Sequence, residues 1–283
     1  MASFTFDRNA KVQFAALLKE ALEQPGILSA AYRSFHRYSF LNRLNAMIQC
    51  QARGIEPGPI APFSKWKEKG RWVKKGEKAI WLCMPINIPA RDADGQRVID
   101  EKTGKPVTRK IFEYKPNWFV LSQTEGQDAQ PEPAPGFDYA KMLRTLKIQQ
   151  ESFSRADGNC QGYAYRNAAT KQLTIAVSPV AQYAHKTMFH EVAHCLLHFN
   201  ERDVTQFVDR AALTVNEKEV EAEMTAYLVI STLELPGKTE SRGYIQAWLS
   251  GKELTDTMAR RIMGAADKII SAGMLDLEQS AAA

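Results

Sequence analysis

Long apolar runs are missing from this chain. The longest spans residues 79–86 and is strand-sized, well short of the ~18 residues a membrane-crossing helix needs, so no membrane partner is expected. Cysteine is scarce and scattered: Cys50, Cys83, Cys160 and Cys195 form no C-x-x-C pair. That speaks against a disulfide framework and for a reducing, cytoplasmic home. Residues 1–8 carry no basic stretch followed by an apolar one, so no secretory leader is expected. Internal repeats and low-complexity tracts are also missing, which removes collagen, coiled coils and disordered chains from consideration.

What is there belongs to a soluble globular protein: 283 residues, 45% hydrophobic and 24% charged. That length lies near the point where one core stops growing, which favours two domains. The net charge of +5 hides an asymmetry. Residues 1–126 hold 21 basic against 12 acidic side chains, a net +9, whereas residues 127–283 hold 16 against 20, a net −4. The sign changes where Pro131, Pro133 and Pro135 alternate with other residues, a pattern that favours extended backbone and cannot continue a helix. Residues 127–136 therefore read as a linker between domains 1–126 and 137–283. A basic module joined to an acidic one suggests polyanion binding coupled to something else.

Apolar periodicity predicts helices over 10–22 and 38–50, and strands over 80–88, 107–114 and 118–122, with a long hairpin connection at 91–105. Beyond the linker it predicts a helix over 139–149 and a hairpin of 161–166 with 172–177. Helices over 181–199, 217–233, 241–249 and 255–272 follow. The fold class is α+β: a small α+β domain, then a mainly helical domain with a short β-sheet.

The strongest chemical signal is His190-Glu191-Val192-Ala193-His194. Positions i and i+4 share a helix face, so both imidazoles can meet one metal ion, with Glu191 beside them to take a proton from water. A catalytic zinc site needs a third protein ligand. His198 continues the stripe, but i and i+8 lie about 12 Å apart along a straight helix. The following segment supplies Glu219 and Glu223, again at i and i+4. Glu219 is the expected third ligand; Glu223 either hydrogen-bonds a ligand histidine or is the alternative ligand. Glu217 and Glu221 are expected to be solvated charge, and Cys195 a small buried residue.

The basic half interleaves cations with aromatics, which suits single strands because unpaired bases offer faces for stacking. One stretch carries Lys65, Trp66, Lys67, Arg71, Trp72, Lys74, Lys75 and Lys78. Another carries Arg33, Arg37, Tyr38, Asn42 and Arg43. These thirteen are the candidate DNA-binding residues, against the plainer reading of a solvated basic loop with tryptophans anchored in a core.

Several of these segments together carry a family resemblance. Tyr38-Ser39-Phe40-Leu41-Asn42 is similar to a Tyr-x-Gly-x-Asn signature, with Phe40 at the glycine. The run 70–78 resembles a Gly/Lys turn, and 120–126 a closing strand. The pentad 190–194 with Glu219-Val220-Glu221-Ala222-Glu223 resembles a zincin metal site, with Glu221 at an apolar position. The family so marked is that of the ArdC antirestriction proteins of conjugative plasmids. The resemblance implies an N-terminal single-stranded-DNA-binding domain and a C-terminal zincin-like metallopeptidase domain holding zinc (Zn2+). It implies protection of plasmid DNA entering single-stranded during conjugation; for the peptidase-like domain it leaves two alternatives open, cleavage of a host protein substrate or a purely structural zinc. Three readings compete: a DNA-associated zinc metalloprotease acting on DNA-bound or host proteins, a DNA-coating binding protein whose metal site is vestigial, and a stand-alone peptidase whose basic half docks on acidic partners.

Overall fold

The computed structural model describes residues 4, 6, 7, 10–92, 94–101, 103–155, 158, 160–199, 213–249 and 253–275. In chain order its elements are α1 (Phe14–Glu23), α2 (Ile27–Phe35), α3 (Phe40–Arg53), β1 (Ile60–Pro62), α4 (Phe63–Glu68), β2 (Arg71–Val73), β3 (Ile80–Pro89) and β4 (Thr108–Val120). There follow β5 (Thr124–Gly126), α5 (Tyr139–Leu146), β6 (Ile148–Glu151), β7 (Gly162–Arg166), β8 (Leu173–Val177), α6 (Ala184–Leu197), α7 (Val215–Thr232), α8 (Lys238–Leu249) and α9 (Asp256–Gly273). The class is α+β, as the patterning predicts. Among the described residues no helix is long and apolar enough to cross a membrane.

The elements form two compact units, neither of them a continuous stretch. One joins Met1–Gln13 to Asn45–Gln130; the other joins Phe14–Leu44 to Pro131–Ala283. The sequence division into 1–126 and 137–283 thus differs from the packing at residues 14–44. The reason is burial. Leu17, Leu18, Ala21, Ile27, Leu28 and Phe35 are all buried, with α1 against α9 and α2 against α7, a partnership that charge counting along the chain does not register.

In the first unit β1, β4 and β3 form an antiparallel sheet in the order β1-β4-β3, and β2 pairs with β5 as a separate ribbon. The hairpin of β3 and β4 runs in register from Pro89↔Thr108 to Trp81↔Pro116, then shifts by one residue to Ile80↔Trp118. Two separate strands, 107–114 and 118–122, are expected here from the sequence, on either side of Pro116. The structure keeps one strand, since β1 covers β4 only from Trp118 to Val120. Pro116 therefore sits where the second edge of β4 is unpaired and a missing N–H costs no ladder bond. The ribbon closes tightly: a Cβ on Gly126 (φ +127°) would stand 2.4 Å from the Gly70 carbonyl oxygen, so only glycine fits there.

In the second unit β6, β8 and β7 form a sheet of order β6-β8-β7, with β6 parallel and β7 antiparallel to β8. The helix expected over 139–149 stops at Leu146, because Lys147 turns left-handed (φ 56°) and releases the chain into β6. The helix α7 is buried nearly all round from Val220 to Ile230, as a central core helix is, and α6, α8 and α9 pack on it. Its start is fixed by reciprocal bonds: Glu217 N donates to Thr214 Oγ1 at 3.3 Å and Thr214 N donates to Glu217 Oε2 at 2.8 Å.

Candidate metal centre and basic surface

On α6 the residues Lys186, His190, His194 and His198 recur every four positions and so lie on one face. The other faces of the helix, with Phe189, Val192, Ala193 and Leu196, are buried, which fixes the rotation of the stripe. Across from it α7 presents Glu219 and Glu223. His190 Nε2 lies 3.1 Å from His194 Nε2 and 3.3 Å from Glu219 Oε2, and His194 Nε2 lies 3.4 Å from Glu219 Oε1. One ligand atom from each of the three can be chosen so that all lie within 4.8 Å of one another. Ligands about 2.0–2.1 Å from a tetrahedral zinc stand about 3.3 Å apart. The spacing and the donor types, two imidazoles and a carboxylate, therefore fit such an ion.

Glu223 meets the other ring nitrogen of His190: Nδ1 to Oε2 is 3.1 Å, while Oε1 pairs with Lys186 Nζ at 2.8 Å. The structure thus places Glu219 on the shared side and Glu223 behind His190. Burial alone would lower the His190 imidazole, but its bonds to Glu219 and Glu223 and the nearby Glu191 charge raise it to about 9. Hydrogen bonds from His190 and His194 hold Glu219 far below the usual carboxylate range. Burial works against ionisation of Glu223, yet bonds from His190, Lys186 and Ser241 pull it down to about 2. Glu191 goes the other way: it is buried, and burial raises its carboxyl although His190 and His194 oppose the shift. It lies against the edge strand β7, where a Cβ on Gly162 would stand 2.9 Å from Glu191 Oε1.

One expectation on these helices needs revision. Glu221 is not solvated: its side chain is 1% exposed and takes Arg261 NH2 at 2.8 Å and His198 Nε2 at 3.1 Å. Helical spacing from Glu219 aimed it away from the metal face, which is true, but that direction is the core rather than water. Glu217 is spent on the α7 cap. Lys186 and Arg261 carried no sequence signal beyond the four-residue repeat of the α6 stripe, which Lys186 continues backwards. Tyr244 on α8, 44% exposed, also escaped notice; burial and the charges of Glu219 and Glu223 raise its phenol.

The thirteen basic and aromatic candidates divide by exposure and by unit. Lys65, Lys67, Lys74, Lys75 and Lys78 are exposed in the first unit, and Trp72 is 54% exposed on β2, opposite Glu125. Trp66 departs from the expectation. It is 2% exposed, with its indole N–H donated to the Phe119 carbonyl at 2.8 Å, so no base can stack on it. Arg71 is likewise buried, its guanidinium donating to Thr124 Oγ1 (2.9 Å), the Thr124 carbonyl (3.0 Å) and the Gln127 carbonyl. In the second unit Asn42 and Arg43 are buried, and Arg43 pairs with Asp267 at 3.0 Å. Arg33 pairs with Glu234 at 2.7 Å and Arg37 with Glu132, while Tyr38 is half-buried. Interleaved spacing marks such residues equally whether they face solvent or a core, which is why the sequence could not separate them.

Residues 19–116 match the profile described as the N-terminal domain of anti-restriction factor ArdC. The whole chain is similar to the metal-free crystal structure of the antirestriction protein ArdC from plasmid R388. The identity is 18% and the TM-score 0.52, covering 95% of this chain and 97% of that one. The Mn(II)-bound structure of the same protein aligns with 17% identity and a TM-score of 0.49, over 96% and 99%. No curated protein matches this chain.

Proposed function

Since the chain is of ArdC type, in its N-terminal domain and in its fold, we propose that it is an antirestriction protein that binds incoming single-stranded plasmid DNA and carries a zinc metallopeptidase-like centre. The observation that carries the reading furthest is the meeting of His190, His194 and Glu219 within 4.8 Å, on a chain whose N-terminal region matches an antirestriction domain. In this reading those three residues hold the ion, Glu223 orients His190, and Glu191 is the general base. A zinc ion held there would supply Lewis-acid polarisation of a carbonyl and of water. Glu191 accepts the proton of the attacking water and returns it to the leaving amine as the C–N bond breaks. The exposed Trp72 stacks on an unpaired base, and Lys74, Lys75 and Lys78 meet phosphates.

A second reading, a DNA-associated metalloprotease acting on DNA-bound or host proteins, is favoured by Glu191 itself. A structural zinc site needs no buried carboxylate beside its ligands. The test is a fluorescence-anisotropy titration of the full chain with labelled single-stranded and duplex oligonucleotides at several salt concentrations, alongside zinc stoichiometry. The expected result is tighter binding of the single strand, falling steeply with salt, and one zinc lost on replacing His190 and His194 by Ala. Equal affinity for blunt duplex, or full zinc retention by that double variant, overturns the corresponding half. Antirestriction that survives Glu191→Gln favours binding without hydrolysis; its loss, with zinc and DNA binding intact, favours the protease.

A further inference from the structure

The two histidines of the metal centre are supported by different devices. His190 rests directly on the Glu223 carboxylate, whereas His194 Nδ1 lies 2.9 Å from another histidine nitrogen, His198 Nδ1. Two imidazole nitrogens at that distance must be one donor and one acceptor. If Nε2 of His194 gives its lone pair to the ion, the ring's single proton is on Nδ1, which then donates. His198 Nδ1 must accept, so its own proton is on Nε2, and Nε2 lies 3.1 Å from Glu221 Oε2. Glu221 can only accept, and it takes Arg261 NH2 as well, at 2.8 Å. Every hydrogen bond in the series therefore has one permitted direction. The groups are walled off from water: the side chains of His198, Glu221 and Arg261 are 2%, 1% and 7% exposed. They come from the C-cap of α6 and from α7 and α9, so three packed helices fix the geometry.

We propose that His198, Glu221 and Arg261 form a buried positioning relay that fixes the tautomer and aim of His194. It rests on the reading that His190, His194 and Glu219 hold zinc. The buried ion pair of Glu221 with Arg261 anchors the far end. His198 converts that carboxylate anchor into an acceptor at the distance His194 requires. None of the three touches the ion or a substrate. Outer partners of this kind hold the ring at the angle the metal needs, and their removal typically weakens metal affinity 10–100-fold.

The test uses the full chain and Zn2+ in competition with a chromophoric chelator, with circular dichroism as the check on folding. His198→Phe keeps the volume and removes the acceptor, so zinc affinity should fall by about 10–100-fold. His198→Asn places an amide oxygen near the position of Nδ1 and should recover affinity to within a few-fold of the wild type. A second readout needs no variant: 15N imidazole spectra of the zinc-loaded chain should show His194 protonated at Nδ1 and His198 at Nε2. Wild-type affinity in the Phe variant, an Asn variant as weak as the Phe variant, or a proton on His198 Nδ1 overturns the relay while the metal centre stands. A wild-type chain that takes up no stoichiometric zinc overturns the centre and the relay with it.

Discussion

Trp66 and Trp72 are six positions apart in the same basic run, yet they will answer substitution in opposite ways. Trp72 is half-exposed on a two-stranded ribbon, so Trp72→Ala should leave the melting temperature nearly unchanged and weaken single-strand binding by about 1–3 kcal/mol, the usual worth of one stacked base. Trp66 fills the core under β4, so Trp66→Ala should cost about 3–5 kcal/mol of stability, visible in a denaturant titration. A Trp72 variant with full affinity would remove the stacking role. The cysteines give a second residue-scale expectation. Burial pushes the Cys50 and Cys195 thiols up to about 12, and thiolate is the reactive form. Raising the pH from 7 to 9 should therefore not bring either into reaction with iodoacetamide in the folded chain. Mass spectrometry of the digested product checks both. Of the site, the spacing rules made His190, Glu191, His194, Glu219 and Glu223 legible, because one-face helical geometry is a local property. The role of Glu221 was not legible: its partners His198 and Arg261 lie 23 and 40 positions away, and no local pattern announces a tertiary ion pair.

At the scale of elements, legibility followed how much of each element's stability is local. The helices α6, α7 and α9 carry strong periodicity or caps, and the patterning finds them within a few residues. The strand β6, with the polar sequence Ile-Gln-Gln-Glu, exists only through its parallel pairing with β8, so nothing in its own residues marks it. The helix α2 hid inside a stretch read for its arginines and aromatics. The approach of β7 to α6 makes a further prediction. A side chain at Gly162 would meet Thr187 Cγ2 at 2.6 Å and the Ala176 carbonyl at 3.1 Å as well as Glu191, neither contact being with the loose end of a long side chain. Gly162→Val should thus destabilise the chain by about 1–3 kcal/mol and displace Glu191 while His190, His194 and Glu219 keep their zinc. Thermal melts and metal analysis of the same sample check both halves, and a variant as stable as the wild type would show that the strand can retreat.

Taken as one molecule, the proposed metal centre would couple zinc binding to folding, because His190, His194 and Glu219 come from two helices brought together only in the native packing. The zinc-loaded chain should melt higher than the chelated one, by an amount that grows with the logarithm of free zinc and reaches about 2.7 kcal/mol at a hundredfold excess over Kd. The variant with Ala at 190 and 194 should show no such dependence in differential scanning calorimetry. Charge also redistributes at this scale. Arg33, Arg37 and Arg43, counted in the basic half by position, are neutralised within the second unit by Glu234, Glu132 and Asp267. The DNA-binding surface proposed for the first unit therefore draws on its own exposed lysines, not on these arginines. The interleaved course of the chain has a consequence for inheritance. A recombination event at the Pro-rich stretch 127–136 looks neutral in sequence, but the 5′ portion would carry α1 and α2 away from α9 and α7, leaving Leu17, Leu18, Ile27 and Phe35 bare to solvent. Only the second unit draws on both sides of that stretch, joining residues 14–44 to 131–283, so a recombinant that exchanges the C-terminal part keeps its core only if residues 14–44 are exchanged with it.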